Sequence, residues 1–405
     1  MSFGTPNFRG ERLREARLAR GMFKNTLGDL IGVTGAAISR YEDGDDKPQA
    51  HRIGVIAEKL QFPPSFFLTP AWNETIDLVH WRSRASESKS AREMTEQRIR
   101  WLCEIYSFLH TEVEFSSFSL PDLDIPENFQ LITNNNIERA ASDLRSHWKL
   151  RAEPIPDMIL ALENAGIPVA TLRIPSDKQD GFCFTSKLLE KAFVGINVEN
   201  VSCARARFDA AHELGHLVLH KHVTPEQAKM PLAHKLIEQQ AHRFAGAMLF
   251  PREAFISEVG AVSLDYFCAL KRRWGMSISA MIMRAYDLGL TDEEGKAQLF
   301  RSMTVRRWRG ALREPYDSPR DMPLERPRML RRGFEAILGS GGFARSTILS
   351  ALPLPSQELE QLASLDDGTF DGANLSQMPV ARLRPAAEML DLESGNVLQF
   401  RRRIR

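Results

Sequence analysis

The chain has 405 residues, with 53 Lys and Arg against 52 Asp and Glu, so its formal net charge is only +1 and does not advertise a polyanionic partner. At 43% hydrophobic and 26% charged residues it has the composition of a globular protein of two to three domains, not of a disordered or fibrous one. No apolar run reaches the roughly eighteen residues of a membrane span, and the start MSFGTPNFRGERL lacks the apolar stretch of a secretion signal.

Charge is uneven at the N-terminus. Arg9, Arg12, Arg14, Arg17, Arg20 and Lys24 stand against Glu11 and Glu15, a local excess of four positive charges on one predicted helix and its exit. This reads either as a stripe facing nucleic acid or as a solvated helix face. The next segment, LGDLIGVTGAAISRYEDG from Leu27 to Gly44, has the spacing of a helix-turn-helix. Leu27, Leu30 and Ile31 supply one apolar face, and Gly28 falls where two helices approach closely. Gly32 sits in the turn, Thr34 is an N-cap candidate, and Ile38 and Tyr41 point back to the core. A further helix over 50–60 offers Ile53, Ile56, Ala57 and Leu60, and Pro63 and Pro64 open a short last helix with Phe66 and Phe67.

The stretch 9–68 resembles the lambda-repressor-like (XRE) DNA-binding domain, through the AR of the first helix, the GVT turn, ISRYEDG and IAEKL. The resemblance implies an ion pair between Arg17 and Glu42. It also implies a second helix that enters the major groove with Thr34, Gly35, Ala36, Ser39 and Arg40. Gly35 and Ala36 are too small for bidentate base contacts, which argues against strong direct readout. Lys24, Arg40 and Arg14 are suited to phosphates, and the acidic Asp43, Asp45 and Asp46 are expected to face away from the duplex.

Residues 71–136 read as a helical connector. A helix is predicted from Ser90 to Val113, with Met94, Trp101, Leu102, Ile105, Tyr106 and Leu109 along one side, and SLPDLDIPENF marks a boundary. Helices follow at IERAASDLRSHWKL and over 154–166, then three short strands at 167–174, 181–185 and 192–197. An antiparallel sheet beside the next helix fits a small α+β domain, and its edge strand would suit an extended peptide bound by strand addition.

The run RARFDAAHELGHLVLH, Arg205 to His220, reads as an amphipathic helix with Ser202 as its cap. Within HELGH, His212 and His216 are four apart, so both imidazoles leave one face and can share a zinc ion. Glu213 is placed to act as the general base of a hydrolysis. A catalytic zinc needs a third protein ligand. The next helical run, 232–250, ends at Pro251 and carries Glu238 as that ligand, with His242 one turn on. His220, His222 and His234 read as solvated or capping histidines.

At ARFDAAHELGHLVLH and EQQAHRFAGAMLFP the chain resembles the ImmA/IrrE family of metallopeptidases. The resemblance implies a thermolysin-like zinc site with His212, His216 and Glu238 as ligands and Glu213 as general base. It also implies a protein substrate of repressor or antitoxin-like type. The family usually has Asn or Asp where His242 stands. A histidine there can orient a ligand, bind zinc itself or stabilise the transition state, and we count it with Glu213 as catalytic. The segment SLDYFCALKRRWGMSISAMIMRAYDLGL has the outline of a second helix-turn-helix-like unit, as relatives of this family often have, with Ser277 as cap and a packing role. The arginine-rich stretch 301–345 reads as a wrap or link, and the last sixty residues, with SGGF and the tail RRRIR, carry no recognisable motif.

The expected fold is mainly α with a small α+β peptidase domain. A five-helix helix-turn-helix domain (1–70) and the helical connector (71–136) lead into a thermolysin-like core (137–256), a second helix-turn-helix-like segment (257–315) and a helical C-terminal region of unassigned role (316–405). Cys103, Cys183, Cys203 and Cys268 are far apart and form no CxxC pair, which points to reduced thiols and a cytoplasmic location. Expected partners are zinc, double-stranded operator DNA, the protein substrate and a second copy of the chain, but no membrane. The rival expectation is a non-catalytic regulator, or an antitoxin, in which the zinc fold is structural or sensory.

Overall fold

The computed structural model describes residues 4–74, 76, 79–83, 89–172 and 179–370. The chain divides into two compact units: residues 1–76, 85–115 and 328–405 form one, and residues 77–84 and 116–327 form the other. The tail RRRIR lies outside the described residues.

The first unit begins with α1 (Gly10–Ala19), α2 (Lys24–Ile31), α3 (Gly35–Asp43) and α4 (Ala50–Leu60), closed by a 3-10 turn (Pro64–Leu68). Thr34 caps α3 by accepting from the Ala37 N–H. Gly28 is required by packing, since a Cβ there would fall 2.6 Å from the carbonyl oxygen of Val33. Of the apolar face expected on α2, Leu27 is buried but Leu30 is exposed, because the close packing at Gly28 brings only the Leu27 side of this two-turn helix to the core. The core is filled by Leu13, Ile38, Ile56, Leu60, Phe66 and Phe67.

The predicted connector is divided. Its long helix, α5 (Lys89–Glu112), packs on α1, and Trp101 meets Phe62 and Phe66 edge-on. A strand not anticipated there, β1 (Val79–Ser83), belongs instead to the second unit. The boundary falls after Phe115, just ahead of SLPDLDIPENF.

The second unit continues with α6 (Asn134–His147), capped by a reciprocal Thr133–Asn136 box, and α7 (Met158–Asn164). Strands β2 (Val169–Leu172), β3 (Gln179–Ser186) and β4 (Lys191–Asn197) join β1 in a sheet of order β1-β3-β4-β2. The sheet is mixed, not antiparallel throughout: β1–β3 and β3–β4 are antiparallel, but β2 lies parallel to β4. The connection from β2 to β4 passes through β3, so β2 reaches its partner in the same direction. The remaining elements are α8 (Cys203–Leu219), α9 (Pro225–Lys229), α10 (Pro231–Leu249), α11 (Arg252–Glu258), α12 (Leu264–Trp274), α13 (Ile278–Asp287) and α14 (Glu293–Val305). Among the described residues, no helix is long and apolar enough to cross a membrane.

The pair α8 and α10 forms the centre of this unit, flanked by α6 and by the sheet. Ile196, Leu214, Phe244 and Met248 belong to one continuous core with Met281, Ile282 and Ala285 of α13. The α12–α13 unit is therefore built into this core. Glu314 accepts from the Ile278 and Ser279 N–H groups at the start of α13 and from Lys271 Nζ. Arg284 makes a bidentate pair with Glu138 of α6.

The C-terminal region divides at Pro327, not at residue 316. Glu325 stays with the second unit, paired with the buried Arg207. From Arg328 the chain belongs to the first unit, as α15 (Met329–Leu338), α16 (Arg345–Ala351) and α17 (Ser356–Leu362), of which α15 and α17 pack on α5.

Candidate functional site

Ser202 accepts from the Arg205 N–H and starts α8, and the i, i+4 spacing then turns His212 and His216 to the same side. Their Nε2 atoms are 3.0 Å apart. Helix α10 brings Glu238 across from them, with Oε2 3.4 Å from His212 Nε2 and Oε1 3.4 Å from His216 Nε2. Burial by itself would raise the Glu238 pKa, but the neighbouring His212 and His216 pull it well below the usual carboxylate range.

Glu213 is fully buried on the same helix. It lies under β3, where Gly181 leaves it room: a Cβ on Gly181 would fall 3.0 Å from Glu213 Oε1. His242 bonds its Nδ1 to the Glu238 carbonyl oxygen at 2.6 Å and sets its ring 4.5 Å from that of His212. His212, Glu238 and His242 each offer an atom within 4.8 Å of the others. All five site residues predicted on α8 and α10 thus come together within one chain. Of the five, His242 also lines a cleft of about 850 Å³, together with Phe208, Gln239, Arg205, Met283 and Tyr286 among others.

The donor set fits a zinc ion. Bonds of about 2.0–2.1 Å in a tetrahedron imply donor–donor separations of about 3.3–3.4 Å. The three separations here are 3.0, 3.4 and 3.4 Å, from two imidazole nitrogens and a carboxylate.

Sequence reasoning missed His220. It is not solvated; it is fully buried at the end of α8, and burial together with His216 lowers its pKa to about 3. Its Nδ1 is 3.0 Å from His216 Nδ1 and its Nε2 is 3.0 Å from Gln240 Oε1. The spacing HELGHLVLH, with a third histidine four residues after the second, was the available signal. His222 is exposed and His234 half-buried.

In the first unit the candidate DNA contacts lie along α3 and the start of α2. Thr34, Ala36 and Arg40 are exposed. Gly35 is covered by the side chain of Asn25, a residue the sequence reading passed over. Lys24 Nζ donates to Ser39 Oγ at 2.8 Å, and Ser39 Oγ donates to Asp43 Oδ2 at 3.1 Å. Arg17 and Glu42 form a buried bidentate pair at 2.5 and 3.0 Å. Asp43, expected to point away from this face, instead ties Ser39 and Arg14 together, because it lies in the last turn of α3, four residues after Ser39.

The basic first helix is mostly occupied internally. Arg12 is held by Glu15 and Glu104, Arg17 by Glu42, and Arg20 by Glu358. Of the two readings of the local excess charge, neither a DNA stripe nor a solvated face describes these three arginines.

Comparison with known proteins gives two domain matches. Residues 10–65 match a helix-turn-helix domain family, and residues 162–286 match a peptidase family described as an IrrE N-terminal-like domain. Among curated proteins, an uncharacterized HTH-type transcriptional regulator of Sinorhizobium fredii is 35% identical over 80 residues, covering 20% of this chain and 53% of the relative. A second from the same organism is 33% identical over 66 residues, 16% of this chain and 46% of the relative. One from Sinorhizobium medicae is 37% identical over 62 residues, 15% of this chain and 45% of the relative. The chain spans about half the length of the curated relatives it matches. It is a helix-turn-helix domain of the XRE-like kind joined in one polypeptide to an IrrE-like domain.

Proposed function

We propose that the chain is a DNA-binding transcriptional regulator that carries a zinc-dependent endopeptidase. The observation that carries the peptidase reading is the clustering of His212 Nε2, His216 Nε2 and the Glu238 carboxylate, with 3.0 Å between the nitrogens and 3.4 Å from each to its own carboxylate oxygen. Zinc held there would supply a Lewis acid for the scissile carbonyl and the attacking water. Glu213, one residue from a ligand and shielded under β3, accepts the proton of the attacking water and returns it to the leaving amine. His242 lines the cleft and donates its Nδ1–H to the Glu238 carbonyl within α10, so in its imidazolium form its Nε2–H would donate to developing charge on the substrate. The substrate is a protein, of repressor or antitoxin-like type. The site takes all its residues from one chain, so a second copy is not required for it.

The helix-turn-helix match and its relatives support DNA binding by α2 and α3, with Arg40 the most available charge on that face. Thr34, Gly35, Ala36 and Ser39 fit a face that approaches the duplex closely, and Lys24 one that meets its backbone.

One observation favours the rival, a structural zinc module without turnover. His242 offers an atom within 4.8 Å of His212 and Glu238, and a fourth protein ligand would close the coordination shell as in structural sites. The deciding experiment uses full-length protein with Glu213→Gln and His216→Ala. Wild type and Glu213→Gln are expected to hold one zinc per chain, and His216→Ala to lose it. Cleavage of a regulator co-expressed from a neighbouring gene, read by mass, separates the two readings: only the catalytic one makes it depend on Glu213.

A further inference from the structure

We infer that Gln240 and His220 form a hydrogen-bonded relay that fixes the tautomer of His216, so that its Nε2 presents a lone pair to the metal. The inference rests on the metal-site reading above and deepens it. It begins with the one group in the relay whose orientation is set by neighbours of known polarity. Gln240 is buried on α10, and its Nε2 lies 2.8 Å from the carbonyl oxygen of Phe129 and 3.2 Å from that of Ile132. Two carbonyls can only be met by the amide NH2, so Gln240 Oε1 is the atom turned to His220.

The remaining assignments follow in order. Gln240 Oε1 is an acceptor, so His220 Nε2, 3.0 Å away, carries the proton. The Nδ1 of the neutral His220 ring is then an acceptor, and His216 Nδ1 donates to it across 3.0 Å. His216 therefore holds its proton on Nδ1 and has its Nε2 lone pair directed at the point shared with His212 Nε2 and Glu238. Partners of this kind orient a ligating histidine and raise its basicity. Here the relay ends on the backbone at the 3-10 turn Phe129–Leu131, whose first residue is the last of SLPDLDIPENF, and at Ile132 just after it. The segment that reads as a domain boundary is thus the anchor of a histidine on α8. Gln240 and His220 act through His216 and are positioning residues.

The test uses the full chain, zinc as probe and a chromogenic chelator as competitor, alongside 15N histidine spectra of the zinc-free protein. In wild type, His216 is expected as the pure Nδ1–H tautomer and His220 as the pure Nε2–H tautomer. Gln240→Leu should weaken zinc binding by about 10–100-fold and turn His216 into a tautomer mixture. Gln240→Glu keeps an oxygen acceptor for His220 Nε2–H while losing both donations to the carbonyls, and should restore most of the affinity. If Gln240 only ties down the turn, the order reverses, because a carboxylate facing two carbonyls is the worse substitution, and the proposal falls. Tight zinc binding by wild type and equal binding by Gln240→Leu overturns the relay alone. No zinc binding by wild type overturns the metal site and the relay with it. Where Gln240→Leu does not fold, the wild-type spectrum still decides: a His216 proton on Nε2 refutes the relay.

Discussion

The two candidate functional faces of this molecule treat polar groups in opposite ways. On α8 and α10 the donors are withdrawn from water, with His212 and Glu213 fully buried and His216 1% exposed. On α3 the candidate DNA contacts Thr34, Ala36 and Arg40 are exposed. Burying imidazoles and carboxylates costs several kcal/mol unless something compensates them. A bound metal would do so for the first face. The second face needs no prior compensation, because a solvated arginine meets a phosphate by displacing water and counterions. A site built for a resident ion is closed and supported by an anchored network. A site built for a transient polyanion is open, and its supporting charges are neutralised just behind it by Glu42 and Asp43.

The sharpest way to break this comparison is at Glu213. If the buried face is catalytic, Glu213→Gln should lower cleavage of the protein substrate by about 10²–10⁴-fold while zinc content and DNA binding stay at wild-type levels. Unchanged cleavage would return the buried face to a structural role.

A comparably large effect is expected behind the exposed face. Glu42 has a fully buried carboxylate with Arg17 at 2.5 Å and with Arg14 and Lys24 at 3.5 and 3.7 Å. Glu42→Ala leaves the Arg17 guanidinium, whose side chain is 8% exposed, without that partner. Removing one member of a buried pair costs roughly 3–5 kcal/mol, against less than about 1 for a surface pair. Denaturant unfolding of the full chain should show the larger figure. A loss below about 1 kcal/mol would mean the pair is solvated.

What could be read from sequence follows the range over which each feature is determined. The spacing of HELGH, the capping Ser202 and Thr34 and the close approach at Gly28 are local, and each stands where a few neighbouring residues put it. The neutralisation of the first helix is not local. Apart from the local Glu15, its carboxylates come from Glu42, Glu104 and Glu358, which lie 25, 92 and 338 positions from the arginines they hold. A charge count over 24 residues cannot see them. The same limit hid the relay: Gln240 is 20 residues from His220 and 111 from Phe129. Strand β1 was hidden for a related reason, since VHWRS is a short segment whose Val79 and Trp81 alternate with polar residues for only four positions, and it is defined by pairing with the distant β3.

The smallest predicted effect tests whether exposed and neutralised charges on the DNA face differ as the geometry says. Each phosphate contact contributes close to one unit to the slope of log affinity against log salt. Arg40 is exposed and has no acidic partner among the ion pairs of the described residues, so Arg40→Ala should reduce that slope by about 1 and weaken binding to every sequence alike. Lys24 is already engaged by Ser39 at 2.8 Å and stands 3.7 Å from the Glu42 carboxylate. Part of its charge is spent before DNA arrives, so Lys24→Ala should change the slope by clearly less. Both variants are read by titrating full-length protein onto promoter DNA over a series of salt concentrations. Equal slopes for the two would show that the inner carboxylates do not grade the charges of this face, and the contrast drawn between the two sites would lose its electrostatic half.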